Sequence, residues 1–131
     1  MDALADVARE ADFLILTLPL TGESRGLINA AILAALPRTA WLINVSRGAL
    51  VDEDALLEAL RAGRLAGAVL DVFSEEPLPP DHPLWDEPNV TITPHVSGAT
   101  SRFRDDLIVE NVRRYLAGEP LLNVVDARRG Y

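Results

Sequence analysis

The sequence predicts an α/β fold, a parallel sheet of four strands in consecutive order with helices on both faces. Three features predict it. Apolar runs of strand length alternate with segments of helical period along the chain. Those runs are apolar at odd and even positions alike, which suits strands covered on both sides. Short polar motifs follow the runs, at the carboxyl edge where open α/β sheets place their ligands.

Ala3 to Ala11 reads as a short helix with Leu4, Val7, Ala8 and Ala11 on one face. A strand follows from Asp12 to Leu18, closed by Pro19. Asn29 is placed to N-cap a helix that runs to Leu36 and stops at Pro37. Ala40 to Val45 is the second strand. Asp52 caps an amphipathic helix that turns Ala55, Leu56, Ala59 and Leu60 inward and ends at Gly63. Leu65 to Val72 is the third strand, and its small Ala66, Gly67 and Ala68 let a helix or cofactor come close. Pro77, Pro79, Pro80 and Pro83 stiffen the loop that leads to a fourth strand, Asn89 to Thr93. Thr100 caps a last helix to Leu116, with Phe103, Leu107, Ile108, Val112, Tyr115 and Leu116 as its buried stripe. Gly118 and Pro120 end that helix, and Leu121 to Tyr131 form a tail.

A chain of 131 residues, 49% hydrophobic, has material for one core. Its net charge of −8 argues against binding nucleic acid or an anionic membrane surface. The arginines of the last helix, Arg102, Arg104, Arg113 and Arg114, are balanced by Asp105, Asp106 and Glu110, as on a solvated face. With no cysteine and two histidines, neither a disulfide framework nor a metal site is indicated. Met1-Asp2-Ala3-Leu4 has neither the basic start nor the apolar run of a leader, and no run approaches a membrane span, so a cytoplasmic location is expected.

Three strand-end stretches carry the chemistry: Asn44-Val45-Ser46-Arg47-Gly48, Leu70-Asp71-Val72-Phe73-Ser74-Glu75-Glu76-Pro77 and Thr93-Pro94-His95-Val96-Ser97-Gly98. If the strands are parallel neighbours, a cation, an acid and an imidazole leave the same edge. That set suits polarisation and protonation of a carbonyl. Taken singly, Arg47 would pair with a surface acid, Glu76 would be a solvated loop acid like Glu75, and Asp71 would cap a turn.

Together these stretches resemble the D-isomer-specific 2-hydroxyacid dehydrogenase family. The likeness rests on Leu18-Pro19-Leu20-Thr21, Ile43-Asn44-Val45-Ser46-Arg47-Gly48, Leu50-Val51-Asp52, Ala66-Gly67-Ala68, Leu70-Asp71-Val72-Phe73, Glu76-Pro77-Leu78 and Pro94-His95, in that order. Pro79-Pro80-Asp81-His82-Pro83-Leu84-Trp85 is similar to the glyoxylate and hydroxypyruvate reductases of that family. The resemblance implies a partial Rossmann-like, doubly wound sheet. Residues 1–118 would be the C-terminal half of an NAD(P)-binding domain, with 119–131 as a tail.

It also implies roles. Arg47 grips the carboxylate and carbonyl oxygen of a small 2-oxo acid, His95 gives the proton, and Glu76 orients and charges His95. Glu76 is preferred to Glu75 on the family's Glu-Pro pattern alone. Asp71 accepts from the nicotinamide carboxamide. Val45, Ser46 and the backbone there line the nicotinamide ribose side, Leu18 and Pro19 the adenosine end, and Gly98 the nicotinamide, with Arg47 and His95 also counted among the cofactor-binding residues. His82 is read as structural or at a substrate entrance. Asp52, Glu53, Asp54 and Glu58 are read as acids favoured by a helix start, without chemistry. Trp41 and Trp85 are read as packing or dimer contacts.

The sequence departs from the family's pattern in three respects: the glycine turn, the acidic residue that would bind the adenosine ribose and the separate substrate domain are all missing. The Gly-x-Gly-x-x-Gly turn that seats a pyrophosphate does not occur; Gly63 and Gly67 stand four apart and Gly48 stands alone. The chain therefore reads as a C-terminal piece with negligible turnover by itself, whose intact relatives are homodimers using NAD or NADP. Its first strand, Phe13 to Leu18, would be an unpaired, aggregation-prone edge. The alternatives are a nucleotide-sensing, corepressor-like binding module and an inactive remnant.

Overall fold

The fold is taken from a computed structural model, which describes residues 2–98 and 102–128, with the side chains of Asp2 and residues 102–104 outside the description. Its elements are α1 (Asp2–Glu10), β1 (Phe13–Leu16), α2 (Ala30–Ala35), β2 (Trp41–Asn44), α3 (Glu53–Arg61), β3 (Gly67–Leu70), β4 (Val90–Ile92) and α4 (Arg102–Ala117). Single 3-10 turns stand at Gly48–Leu50 and Pro83–Asp86. The strands are shorter than their apolar runs, because ladder pairing stops where the chain turns into the loops that bear the polar motifs. Expected Thr100 lies outside the described residues.

The four strands form one parallel sheet in the order β1-β2-β3-β4. Register aligns Leu16 with Asn44, Asn44 with Leu70, and Leu70 with Ile92. The carboxyl ends of all four strands are thus level, and the loops after them leave a common rim. Helix starts follow the expected chemistry. Asn29 accepts from the N–H groups of Ala31 and Ile32 at 3.0 and 3.2 Å, and Asp52 accepts from Ala55 N–H at 3.0 Å. Gly63, at φ +59, ends α3 in the left-handed region.

Strand side chains alternate between the two faces. Leu14, Leu16, Leu42, Ala68 and Leu70 join Ala8, Ile32, Leu33, Leu56, Ala59 and Leu60 of the three helices in one buried cluster. Helix α1 packs on α2, and α2 on α3. Each fully buried aliphatic side chain there contributes about 1.5–3 kcal/mol. The other face carries Phe13 and Ile15, 62% and 54% exposed, beside half-buried Trp41, Ile43 and Val69. β1 is therefore apolar on both faces in sequence but alternates exposed and buried in structure. The helices α1–α3 supply a layer on one face.

Two sequence expectations about cores need correction. Val7 is 61% exposed, and α1 turns Ala8 inward with Leu4, Ala5 and Ala11 beside it. Nor is the α4 stripe buried: Ile108, Val112, Tyr115 and Leu116 are more than half exposed.

The chain divides into two compact units, 1–96 and 97–131. In the second unit Gly118 (φ +69) ends α4. The start of the tail is pinned to α4: Asn111 accepts from Leu122 N–H at 2.8 Å and donates to Leu122 O at 3.1 Å. Arg114 pairs with Glu110 at 2.9 Å, as expected of a solvated charged face. Among the described residues no helix is long and apolar enough to cross a membrane.

Candidate active site

The loop after β2 is organised by a buried amide. Asn44, 1% exposed, ends the strand and donates from Nδ2 to Arg47 O at 2.9 Å, while its Oδ1 accepts from Ser46 N–H at 3.1 Å. This closes a tight loop and throws Arg47 out into solvent beyond the rim. One guanidinium nitrogen of Arg47 donates to Ser46 O at 2.7 Å. The Ser46 hydroxyl donates to Leu18 O, tying the exits of β1 and β2 together. Pro19 O accepts from Ser24 Oγ at 2.8 Å. Val45 is half-buried in the same loop. The sequence signal for Asn44, which the sequence reading did not single out, is an amide closing an apolar strand.

The turn after β3 is held just as tightly. Glu76 Oε1 accepts from Phe73 N–H at 2.9 Å, folding the carboxylate back over its own turn. A Cβ at Gly48 would sit 1.9 Å from Phe73 C and 2.3 Å from Ser74 N, so only glycine lets the Arg47 loop lie against this turn. Gly67 does a similar service, but what it admits is the Trp41 ring and Asn89 O, not a cofactor: both are 2.5 Å from a Cβ built there.

His95 follows β4 with φ +52, a left-handed conformation that costs a non-glycine residue about 1 kcal/mol or more. Buried Asp71 holds it there from both sides. Its Oδ1 accepts from the Thr93 hydroxyl and, at 3.0 Å, from Val96 N–H. His95 Nδ1 then lies 2.7 Å from Glu76 Oε2, where Nδ1–H donates to the carboxylate. This hydrogen bond, with that from Phe73 N–H, holds the Glu76 carboxyl below the ordinary carboxylate range; partial burial opposes them, and the charges of His95 and Arg47 add to the lowering.

Asp71, Phe73, Glu76, Leu78, Trp85 and His95 border a cavity of about 550 Å³, with Pro77, Ile92, Thr93 and Pro94 completing it. Its size and mixed lining suit a small organic ligand. Trp85, read from sequence as packing, lines this cavity half-exposed and donates from its indole to Pro79 O at 2.9 Å. His82 Nδ1 accepts from Leu84 N–H at 3.3 Å and starts the 3-10 turn, a structural role. Gly98 lies in the second unit. Among the described residues no cluster of three metal-ligating side chains occurs.

Residues 1–97 match the family model for the D-isomer specific 2-hydroxyacid dehydrogenase, NAD binding domain. The chain belongs to that family. A glyoxylate/hydroxypyruvate reductase A of Klebsiella pneumoniae is 47% identical over 119 residues, covering 90% of this chain and 38% of the relative. A D-isomer specific 2-hydroxyacid dehydrogenase from Xanthobacter autotrophicus, solved with NADPH and MES, superposes with TM-score 0.90 at 54% identity, covering all of this chain and 55% of that one. An NADPH-dependent glyoxylate/hydroxypyruvate reductase from Sinorhizobium meliloti, solved with NADP and sulfate, gives 0.88 at 41% identity, over 99% of this chain and 43% of the other. The chain spans less than half the length of the curated relatives it matches. The Rossmann-like parallel sheet expected from sequence is the fold these dehydrogenases share with it.

Proposed function

We propose that this site reduces a small 2-oxo acid of the glyoxylate or hydroxypyruvate type to a D-2-hydroxy acid. The observation that carries the reading is the 2.7 Å contact between His95 Nδ1 and Glu76 at the rim that also bears Arg47. Glu76 occupies Nδ1, so Nε2 is the nitrogen that gives its proton to the keto oxygen. Arg47 presents a planar fork of donors that matches a carboxylate and the neighbouring carbonyl oxygen, binding the acid and polarising the carbon to be reduced. Its 2-oxo acid gains a hydride at carbon and a proton at oxygen, and nothing leaves.

The residues present fit the nicotinamide end of NAD or NADP, on the chemistry of the donor set: a carboxylate, Asp71, on the cavity wall beside apolar Ile92 and Pro94. When bound, such a cofactor supplies the hydride. Asp71, Val45 and Ser46 would hold the nicotinamide side, Leu18 and Pro19 the adenosine side. The names of the Klebsiella and Sinorhizobium relatives support the substrate class. A segment exchange tests the reading. Residues 1–97 replace the matched segment of the Klebsiella reductase, and oxidation of reduced cofactor by glyoxylate is followed. Turnover is expected, and His95→Gln within the graft lowers kcat by about 10²–10⁴-fold. A folded, cofactor-binding graft without glyoxylate-dependent turnover would overturn the proposal.

A further inference from the structure

Glu53 stands at the first position of α3, where a helix-dipole acid is unremarkable by sequence. Its side chain does something else. Only 17% exposed, it reaches across to the turn after β3, and its Oε1 accepts from Ser74 N–H at 2.7 Å. Two successive backbone N–H groups of that turn therefore end on carboxylates. Phe73 N–H goes to Glu76, from within the turn, and Ser74 N–H goes to Glu53, from a separate helix. The other Glu53 oxygen faces His82 Nε2 at 4.0 Å. His82 Nδ1 is an acceptor for Leu84 N–H, so the ring proton sits on Nε2, directed at Glu53. Glu53 thus touches the loop near both ends of its 74–82 span, while Gly48 bears on the same Phe73–Ser74 peptide.

We propose that Glu53 is a positioning residue: it clamps the 74–82 loop to the start of α3 and thereby holds Glu76 on His95 Nδ1. The carboxylate of Glu76 sits two residues past Ser74 and has no secondary-structure ladder to fix it. Its aim depends on the turn it springs from, and that turn is anchored to the body of the domain through Glu53. A charge-assisted hydrogen bond from a rigid helix suits this task better than contacts made within the loop itself. The inference deepens the proposed reaction, because it names what keeps the proton donor oriented.

The test needs neither substrate nor cofactor. Histidine in the whole chain is labelled with ¹⁵N, and the two imidazoles, told apart with His82→Gln, are read for tautomer by their nitrogen shifts. A carboxylate at Nδ1 makes His95 an Nδ1–H tautomer, against the Nε2–H preference of a free ring. Glu53→Ala is expected to lower the ratio of Nδ1–H to Nε2–H at His95 by about threefold or more. Glu53→Gln, whose amide oxygen still accepts from Ser74 N–H, restores most of it. Glu53→Asp keeps an acid at the helix start but falls short of Ser74, and it behaves like Glu53→Ala. Asp52→Ala removes the helix cap and lowers the melting temperature, yet leaves the His95 ratio as in the parent chain.

An unchanged ratio in Glu53→Asp overturns the proposal, and so does an equal fall in Asp52→Ala. Should Glu53→Ala unfold, the Asp and Gln variants decide between these outcomes. A parent chain with His95 already in the Nε2–H form would remove the Glu76 contact, and with it both this inference and the reaction proposed above. Loss of graft turnover with the Nδ1–H form intact would end the reaction proposal alone.

Discussion

Phe13 and Leu14 are neighbours in β1, yet one is 62% exposed and the other 8%. The same split runs through the sheet. Leu14, Leu42, Ala68 and Leu70 face three helices and are closed to water, while Phe13, Ile15, Trp41, Ile43 and Val69 face a side that α1–α3 leave open. The row that ends the covered face, Leu16, Asn44, Leu70 and Ile92, is also the row from which the site loops spring. The site is therefore built where packing is complete. Arg47, Glu76 and His95 are exposed, but the backbone beneath them is fixed by Asn44, Asp71 and Gly48, all buried. The other face is equally apolar in sequence but is covered by none of α1–α3.

Leu42→Ala is the strongest way to break this comparison. It empties a fully buried position and is expected to cost about 2–5 kcal/mol in denaturant unfolding. Phe13→Ala, a larger truncation on the open face, should cost under about 1 kcal/mol; equal losses would erase the distinction between the faces. Gly48→Ala comes next. The new methyl has backbone, not a flexible side chain, against it, and a loss of about 1–3 kcal/mol is expected with displacement of the Glu76 turn, seen as altered His95 shifts.

Glu76→Gln sharpens the account of the rim through pH. The folded Glu76 carboxyl titrates below its ordinary value of 4.5, so the folded state binds fewer protons there than the unfolded chain. Its stabilisation is fully present above that value and is lost as pH falls through the lowered one. The gap in urea midpoint between parent and Glu76→Gln should therefore be widest above the ordinary value and close as pH falls through the lowered one, and it stays under about 1 kcal/mol because the pair is half in water. A gap that widened on acidification would contradict the pairing. The smallest effect on stability is expected of the double change Phe13→Lys and Ile15→Lys, within about 0.5 kcal/mol. Sedimentation should nevertheless show less self-association, since charges blunt an open β1 edge and its apolar face.

Most of the frame was legible from residue order. Helix caps at Asn29 and Asp52, the glycine stops and the four apolar runs are local signals, and each acts within a few residues of itself. The Arg47, Glu76 and His95 motifs were legible because they follow strand ends, and level parallel strands bring such ends to one rim. Glu53 was not. An acid at a helix start satisfies a local rule completely, and nothing in its neighbours tells of Ser74, 21 residues on. Asn44 was passed over because a polar residue after an apolar run reads simply as the end of a strand. The α4 stripe failed in the opposite way: helical period shows which residues share a face, not whether anything covers it.

The sequence by itself determined the alternation of helices and strands, their caps and breaks, and which polar residues follow the strands, because these depend on dihedral preference, period and residue order. Tertiary structure alone decided which sheet face is closed, that Gly48 must yield its side chain to the Phe73–Ser74 peptide, and that a carboxylate on α3 braces the Glu76 turn. Those outcomes depend on distances between segments far apart in the chain, and such distances exist only once the sheet has set its register.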